Sequence, residues 1–267
     1  MKETICFAGG GRMAGAMIRG LLASGADPSC IRVADTDETV RAEWSRILAR
    51  ENIAPDVREL SATEPVILVL AVKPQQMDEV LRAAGSGSWR TVISIAAGVT
   101  LARLEKSFPA GTPVVRAMPN TPALVGKGIT VLAAGACADE DSMMLAERVL
   151  AAVGDVVRMD ERHLDAVTAI SGSGPAYFFL MMKELVRCAE EMGIEPGTAR
   201  RLVLKTASGA AELAMAQDVP LSEMIAAVAS KGGTTERALA VFAEKGLGEI
   251  ITGATGAAYK RSMELGR

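Results

Sequence analysis

The chain has 267 residues, 49% of them hydrophobic and 3% aromatic, with a formal net charge of −3. That length allows one large domain or two smaller ones, and no apolar run approaches the roughly 20 residues of a membrane-spanning helix. Dispersed Lys and Arg and scarce aromatic rings argue against nucleic acid, which is held by basic patches and stacking platforms. The N-terminus runs directly into the strand-like residues 4–8, without the basic region, apolar stretch and cleavage site of a signal peptide. The four cysteines, Cys6, Cys30, Cys137 and Cys188, show no paired spacing, so we expect reduced thiols, a cytoplasmic protein and no metal site.

Short β-branched runs near residues 3–8, 31–34, 66–72, 91–95, 113–117, 128–133 and 153–158 alternate with amphipathic stretches over 13–23, 39–50, 74–83, 101–107 and 139–150. This alternation predicts an α/β fold, a doubly wound, Rossmann-like and mostly parallel sheet covered by helices. From about Glu161 the β-branched runs stop, and the rest reads as helices separated by glycine turns, among them 196–217, 221–229, 234–244 and 248–263. The shift divides the chain into domains 1–160 and 161–267. The second opens with Ser171, Gly172, Ser173, Gly174 and Pro175, where serine can cap a helix and proline can occupy its first turn. The stretch from Tyr177 to Met182 is apolar on every side of that helix and therefore demands burial all round. A helical domain of about 100 residues has limited core to offer, so a partner subunit is expected to cover part of it.

After the first strand, Gly9, Gly10, Gly11, Arg12, Met13 and Ala14 satisfy the form G-x-G-x-x-A. Its glycines permit a tight turn and close approach to a pyrophosphate at the positive end of the following helix. Asp35 follows at the end of the second strand, placed to accept hydrogen bonds from a ribose 2'-hydroxyl and to repel a 2'-phosphate. Arg12 could pair with such a phosphate, so NADH and NADPH both stay open as cofactors. The strand over 66–72 leads into Lys73 and Pro74, and the strand over 91–95 into Ala96, Ala97 and Gly98, whose small side chains leave room for a ribose and nicotinamide. Residues 116–123 form a turn braced by Pro119 and Pro122, rigid with or without a ligand.

Five stretches taken together, Ala71-Val72-Lys73-Pro74, Ser94 to Thr100, Arg116 to Ala123, Ser171 to Tyr177 and Gly232-Gly233-Thr234-Thr235, resemble the pyrroline-5-carboxylate reductases, in the same order and over nearly the whole chain. The resemblance implies an N-terminal Rossmann domain, a C-terminal helical dimerisation domain, homodimers that often assemble into decamers, and NAD(P)H-dependent reduction of a cyclic imine as the last step of proline biosynthesis. Carried over position by position, it has Gly9 to Ala14 wrap the cofactor phosphates and Asp35 face the adenosine ribose. Ala71, Val72, Lys73, Pro74, Ala96 and Ala97 line the rest of the groove, with Asn120 nearby. Ser230, Gly233 and Thr234 hold the substrate carboxylate, and the Thr235 hydroxyl meets the ring nitrogen. The chain departs from the family at Lys231, usually proline, at Ala226, commonly acidic, and at Arg12, more often asparagine.

The chemistry is consistent with few acid–base groups. The one histidine, His163, lies at the domain boundary rather than in a motif. An imine nitrogen is basic enough to be protonated in water near neutral pH, so orientation and carboxylate anchoring are the main requirements. Backbone N–H groups of residues 232–235, opening a helix, form a suitable anion site. Two other classes of protein share part of this pattern. A β-hydroxyacid dehydrogenase shares the glycine motif but places asparagine four residues after its catalytic lysine, where Lys183 is followed by Arg187. A non-catalytic nicotinamide-sensing protein would keep the fold without turnover.

Overall fold

The structure, a computed structural model, describes residues 3–60 and 66–266. Residues 1, 2, 61–65 and 267 of the two expected domain ranges lie outside the described residues. Among the described residues the chain folds as two compact units, one comprising Met1–Ser173 with Ala258–Arg267 and the other Gly174–Ala257.

The first unit is built on strands β1 (Ile5–Ala8), β2 (Ile31–Ala34), β3 (Ile53–Ala54), β4 (Val66–Leu70), β5 (Trp89–Ser94), β6 (Val114–Met118), β7 (Gly128–Ala134) and β8 (Gly154–Arg158). They form one sheet in the order β3-β2-β1-β4-β5-β6-β7-β8. Every neighbouring pair is parallel except β6 and β7. The chain winds outward from β1 to β3, then returns to the other side of β1 with β4. That reversal opens a crevice at the C-terminal ends of β1 and β4, where open α/β sheets take ligands.

Both faces of the sheet's centre are covered, which is why β1 and β4 read as unbroken apolar runs. Ile5 and Phe7 point into one core with Met17, Ile18 and Leu21 of helix α1 (Arg12–Ala23). Cys6 and Ala8 point into the other with Met77 and Leu81, because side chains alternate along a strand. Helix α2 (Glu38–Trp44) is capped by Asp37, whose carboxylate accepts the Thr39 N–H at 2.8 Å. Helices α3 (Met77–Ala84), α4 (Leu101–Glu105), α5 (Glu140–Leu150) and α6 (Leu164–Val167) complete this unit.

Three differences from the expected elements have local causes. The strand β3 was not anticipated, because two residues are too few to show a period. The helix expected over 39–50 ends at Trp44, where the Ile47 and Leu48 N–H groups both bond to the Trp44 carbonyl and continue the chain as turns. The strand expected to reach residue 72 stops at Leu70, leaving Ala71 and Val72 to form the turn before Pro74.

The later helices are α7 (Gly174–Glu191), α8 (Pro196–Ala216), α9 (Leu221–Val228), α10 (Thr234–Glu244) and α11 (Leu247–Leu265). Pro175 and Pro196 sit in first turns, where a missing N–H costs nothing. Glu195 caps α8 by accepting the Gly197 and Thr198 N–H groups at 2.8 and 2.7 Å. The end of α11 belongs to the first unit, where the Ser262 hydroxyl donates to Asp165 Oδ1 at 2.6 Å. Among the described residues of the second unit, Gly174 and Ala199 alone are buried, while Phe178, Phe179, Leu180, Leu202 and Ile225 are exposed. No helix among the described residues is long and apolar enough to cross a membrane.

Candidate active site

The glycine turn follows β1 directly. Gly9 adopts φ +98°, and a Cβ there would lie 2.7 Å from the Ala71 carbonyl oxygen, so this position accepts only glycine without displacing the turn after β4. Gly10 donates its N–H to Asp35 Oδ2 at 2.8 Å and accepts from Trp44 Nε1 at 2.9 Å. Gly11 stands at the N-cap of α1 with no side-chain hydrogen bond capping the helix, and a Cβ there would meet nothing within 4 Å. The first N–H groups of α1 therefore lack an intrahelical partner and carry the positive end of the helix dipole.

A cleft of ≈ 400 Å³ opens beside this turn, lined among others by Gly9, Gly11, Asp35, Ala71, Val72 and Lys73. These six expected residues come together from three separate turns. Gly10 stands behind the cleft against Trp44, Ala14 is buried in the core, and Met13 is half-buried. Arg12 is exposed at the start of α1, and Pro74 opens the short helical turn after Lys73. Ala96 and Ala97 follow β5 and do not line this cleft. Asn120 follows β6, and its Oδ1 accepts the Ile129 N–H at 3.0 Å, fastening the turn Thr121–Val125 to β7.

The cleft is rich in carboxylates. Asp35, Asp37, Asp56 and Glu79 line it, against Lys73. Asp35 Oδ1 accepts the Asp37 N–H at 2.9 Å, so both of its oxygens are held by backbone. The hydrogen bond from Arg58 keeps the Asp56 carboxyl below the ordinary aspartate range, so it stays ionised. Arg41 turns its guanidinium onto the Asp35 and Thr36 carbonyl oxygens, each at 2.8 Å.

The expected substrate residues lie in the second unit, in one turn. Gly233 precedes α10 and donates its N–H to the Ser230 carbonyl at 2.9 Å, and Thr234 and Thr235 are the first two residues of the helix. Glu236 reaches back, its Oε2 accepting the Gly232 N–H at 2.6 Å. A carboxylate thus already engages one N–H of the stretch expected to hold an anion. His163 is exposed, with Nε2 accepting from Arg162 at 3.2 Å. No cluster of three potential metal ligands occurs among the described residues.

Sequence reasoning did not single out Trp44, Arg41 or Glu236. Trp44 resembles any core residue of an amphipathic helix, and Arg41 any exposed one. Glu236 carried a usable signal, since an acidic residue at the third position of a helix commonly bonds back across its start.

A mostly parallel sheet with a glycine turn after its first strand, an acidic residue following its second and a separate helical unit define the class of Rossmann-type oxidoreductases. Residues 161–265 match the model described as pyrroline-5-carboxylate reductase dimerisation, and residues 4–98 the one described as NADP oxidoreductase, coenzyme F420-dependent. The pyrroline-5-carboxylate reductase of Pseudomonas aeruginosa is 39% identical over 264 residues, covering 98% of this chain and 96% of that protein. The solved enzyme of Coxiella burnetii is 36% identical with a TM-score of 0.91 over 100% of both chains. That of Plasmodium falciparum, solved with NADP bound, is 25% identical with a TM-score of 0.87 over 100% of this chain and 99% of that one. The chain belongs to the pyrroline-5-carboxylate reductase family.

Proposed function

We propose that this chain reduces pyrroline-5-carboxylate to L-proline with hydride from NADPH or NADH, closing proline biosynthesis in the cytoplasm. The observation that carries the reading is the assembly of Gly9, Gly11, Asp35, Ala71, Val72 and Lys73 around one cleft at the sheet's switch point. The open space at Gly11 and the uncapped start of α1 suit a dinucleotide pyrophosphate. When bound, the reduced nicotinamide supplies a hydride to the carbon of the protonated C=N bond. Asp35 binds the adenosine ribose, while Arg12, Met13 and Ala14 carry the start of α1 under the phosphates, and Pro74, Ala96, Ala97 and Asn120 complete the cofactor's surroundings.

In the helical domain, residues 161–267, Ser230, Gly233 and Thr234 anchor the substrate carboxylate, and the Thr235 hydroxyl orients the ring nitrogen that keeps the proton. This domain also carries the homodimer, and the decamer built from it, because its apolar side chains find little cover within their own unit. The test is steady-state kinetics with pyrroline-5-carboxylate and each reduced cofactor, without added metal. Turnover with either one supports the assignment, and a folded protein inactive with both overturns it.

A further inference from the structure

We propose that Trp44 is a positioning residue of the dinucleotide site, holding the Gly10 peptide so that the Gly11 N–H faces the cleft before any ligand arrives. The proposal rests on the reading of that cleft as a nicotinamide dinucleotide site. Gly10 is gripped on both sides: its N–H by Asp35, 25 residues away, and its carbonyl by the Trp44 indole N–H, 34 residues away. Trp44 is 3% exposed, so the carbonyl it satisfies has no ready exchange for water.

The consequence follows from peptide planarity. The Gly10 carbonyl and the Gly11 N–H belong to one trans peptide and point in opposite directions. Drawing the carbonyl inward onto the indole therefore turns the Gly11 N–H outward, at a residue that lines the cleft and has open space beside it. The fit is close. A Cβ on Gly10 would lie 2.7 Å from Trp44 Nε1 and 2.9 Å from Val33 and Val40 side-chain carbons, so the indole reaches this carbonyl only because Gly10 has no side chain. The guanidinium of Arg19, on α1, lies 5.5 Å above the indole, so the ring also braces the helix that the turn begins.

The test uses Trp44→Phe, which keeps an aromatic ring and deletes the donor, and ADP as a pyrophosphate probe without nicotinamide. The Kd for ADP and the KM for the reduced cofactor should each rise about fivefold, the worth of one neutral hydrogen bond, with kcat unchanged. A variant that melts earlier yet binds ADP as the parent does would make the indole merely structural and overturn the proposal. If the parent itself binds neither ADP nor a nicotinamide dinucleotide, the reading of the cleft falls first. Should Trp44→Phe fail to fold, Trp89→Phe leaves Trp44 as the remaining tryptophan of two. Its indole N–H should then be protected from hydrogen exchange before any ADP is added, and exchange as fast as that of an exposed indole would overturn the proposal.

Discussion

Asp35 reaches back from the end of β2 to the glycine turn, its Oδ2 accepting the Gly10 N–H at 2.8 Å. The same carboxylate that sets the charge at the proposed ribose also helps hold the turn at the proposed pyrophosphate. Replacing it with Ser removes charge from where a 2'-phosphate would lie, and weakens the turn for both cofactors. We expect Asp35→Ser to lower kcat/KM with NADH and to shift the NADPH to NADH ratio toward NADPH by about tenfold, ~1.4 kcal/mol. An unchanged ratio, measured by steady-state kinetics, would remove Asp35 from the ribose.

Glu236 places a negative charge beside the N–H groups proposed to take the substrate carboxylate. Like charges about 4 Å apart in water repel by about 1 kcal/mol. Glu236→Gln keeps an acceptor for the Gly232 N–H but loses the charge, so KM for pyrroline-5-carboxylate should fall about fivefold with the cofactor KM unchanged. A KM that rises instead would show that the carboxylate serves the turn more than it opposes the substrate.

Phe178 and Phe179 are 68% and 62% exposed on α7 of a single chain. A second copy covering this face makes stability depend on protein concentration, because unfolding is then coupled to dissociation. We expect a higher midpoint of thermal unfolding at higher concentration, and Phe179→Asp to give a monomer with reduced helix content. Sedimentation velocity and far-UV circular dichroism read both, and a Phe179→Asp variant that remains dimeric with the parent's helix content would rule out this face as the interface.

Arg116 is 5% exposed on β6 and bonded at 2.9 Å to Glu161 Oε1, which also accepts the Leu101 N–H at 2.7 Å. Removing one partner of a buried pair leaves an uncompensated charge, at a cost of ~3–5 kcal/mol when both are fully buried. Glu161 is 31% exposed, so Glu161→Gln should cost less, about 2–3 kcal/mol. Denaturant unfolding checks this, and a loss below ~0.5 kcal/mol would equate the pair with the exposed ones.

Burial pushes the Cys6 thiol from 9.0 up to about 12. Its folded value lies above its unfolded one, so its contribution to stability is whole below about pH 9 and is lost as pH rises toward 12. Cys6→Ala should flatten the decline of stability over that window. At pH 8 in the native state, iodoacetamide should modify the exposed Cys137 and spare Cys6. Native-state labelling of Cys6 would contradict a sealed core.

Much of this protein is set by local pattern. Alternating apolar runs and amphipathic stretches determined the wound sheet, since a strand buried on both faces and a helix buried on one have different periods. The glycine motif was legible because Gly9 at φ +98° leaves steric room for no other residue beside Ala71. Asp35, at the end of β2, was legible from its spacing alone. The tertiary structure decided what lies between these residues. Trp44 and Gly10 stand 34 positions apart, and nothing local in either announces an indole N–H meeting a carbonyl. The half-buried pair of Arg116 and Glu161 is likewise a contact across 45 positions. Periodicity reports which face of an element is buried, whereas the partner each polar group finds there depends on how distant segments are brought together, and that is fixed only when the chain has folded.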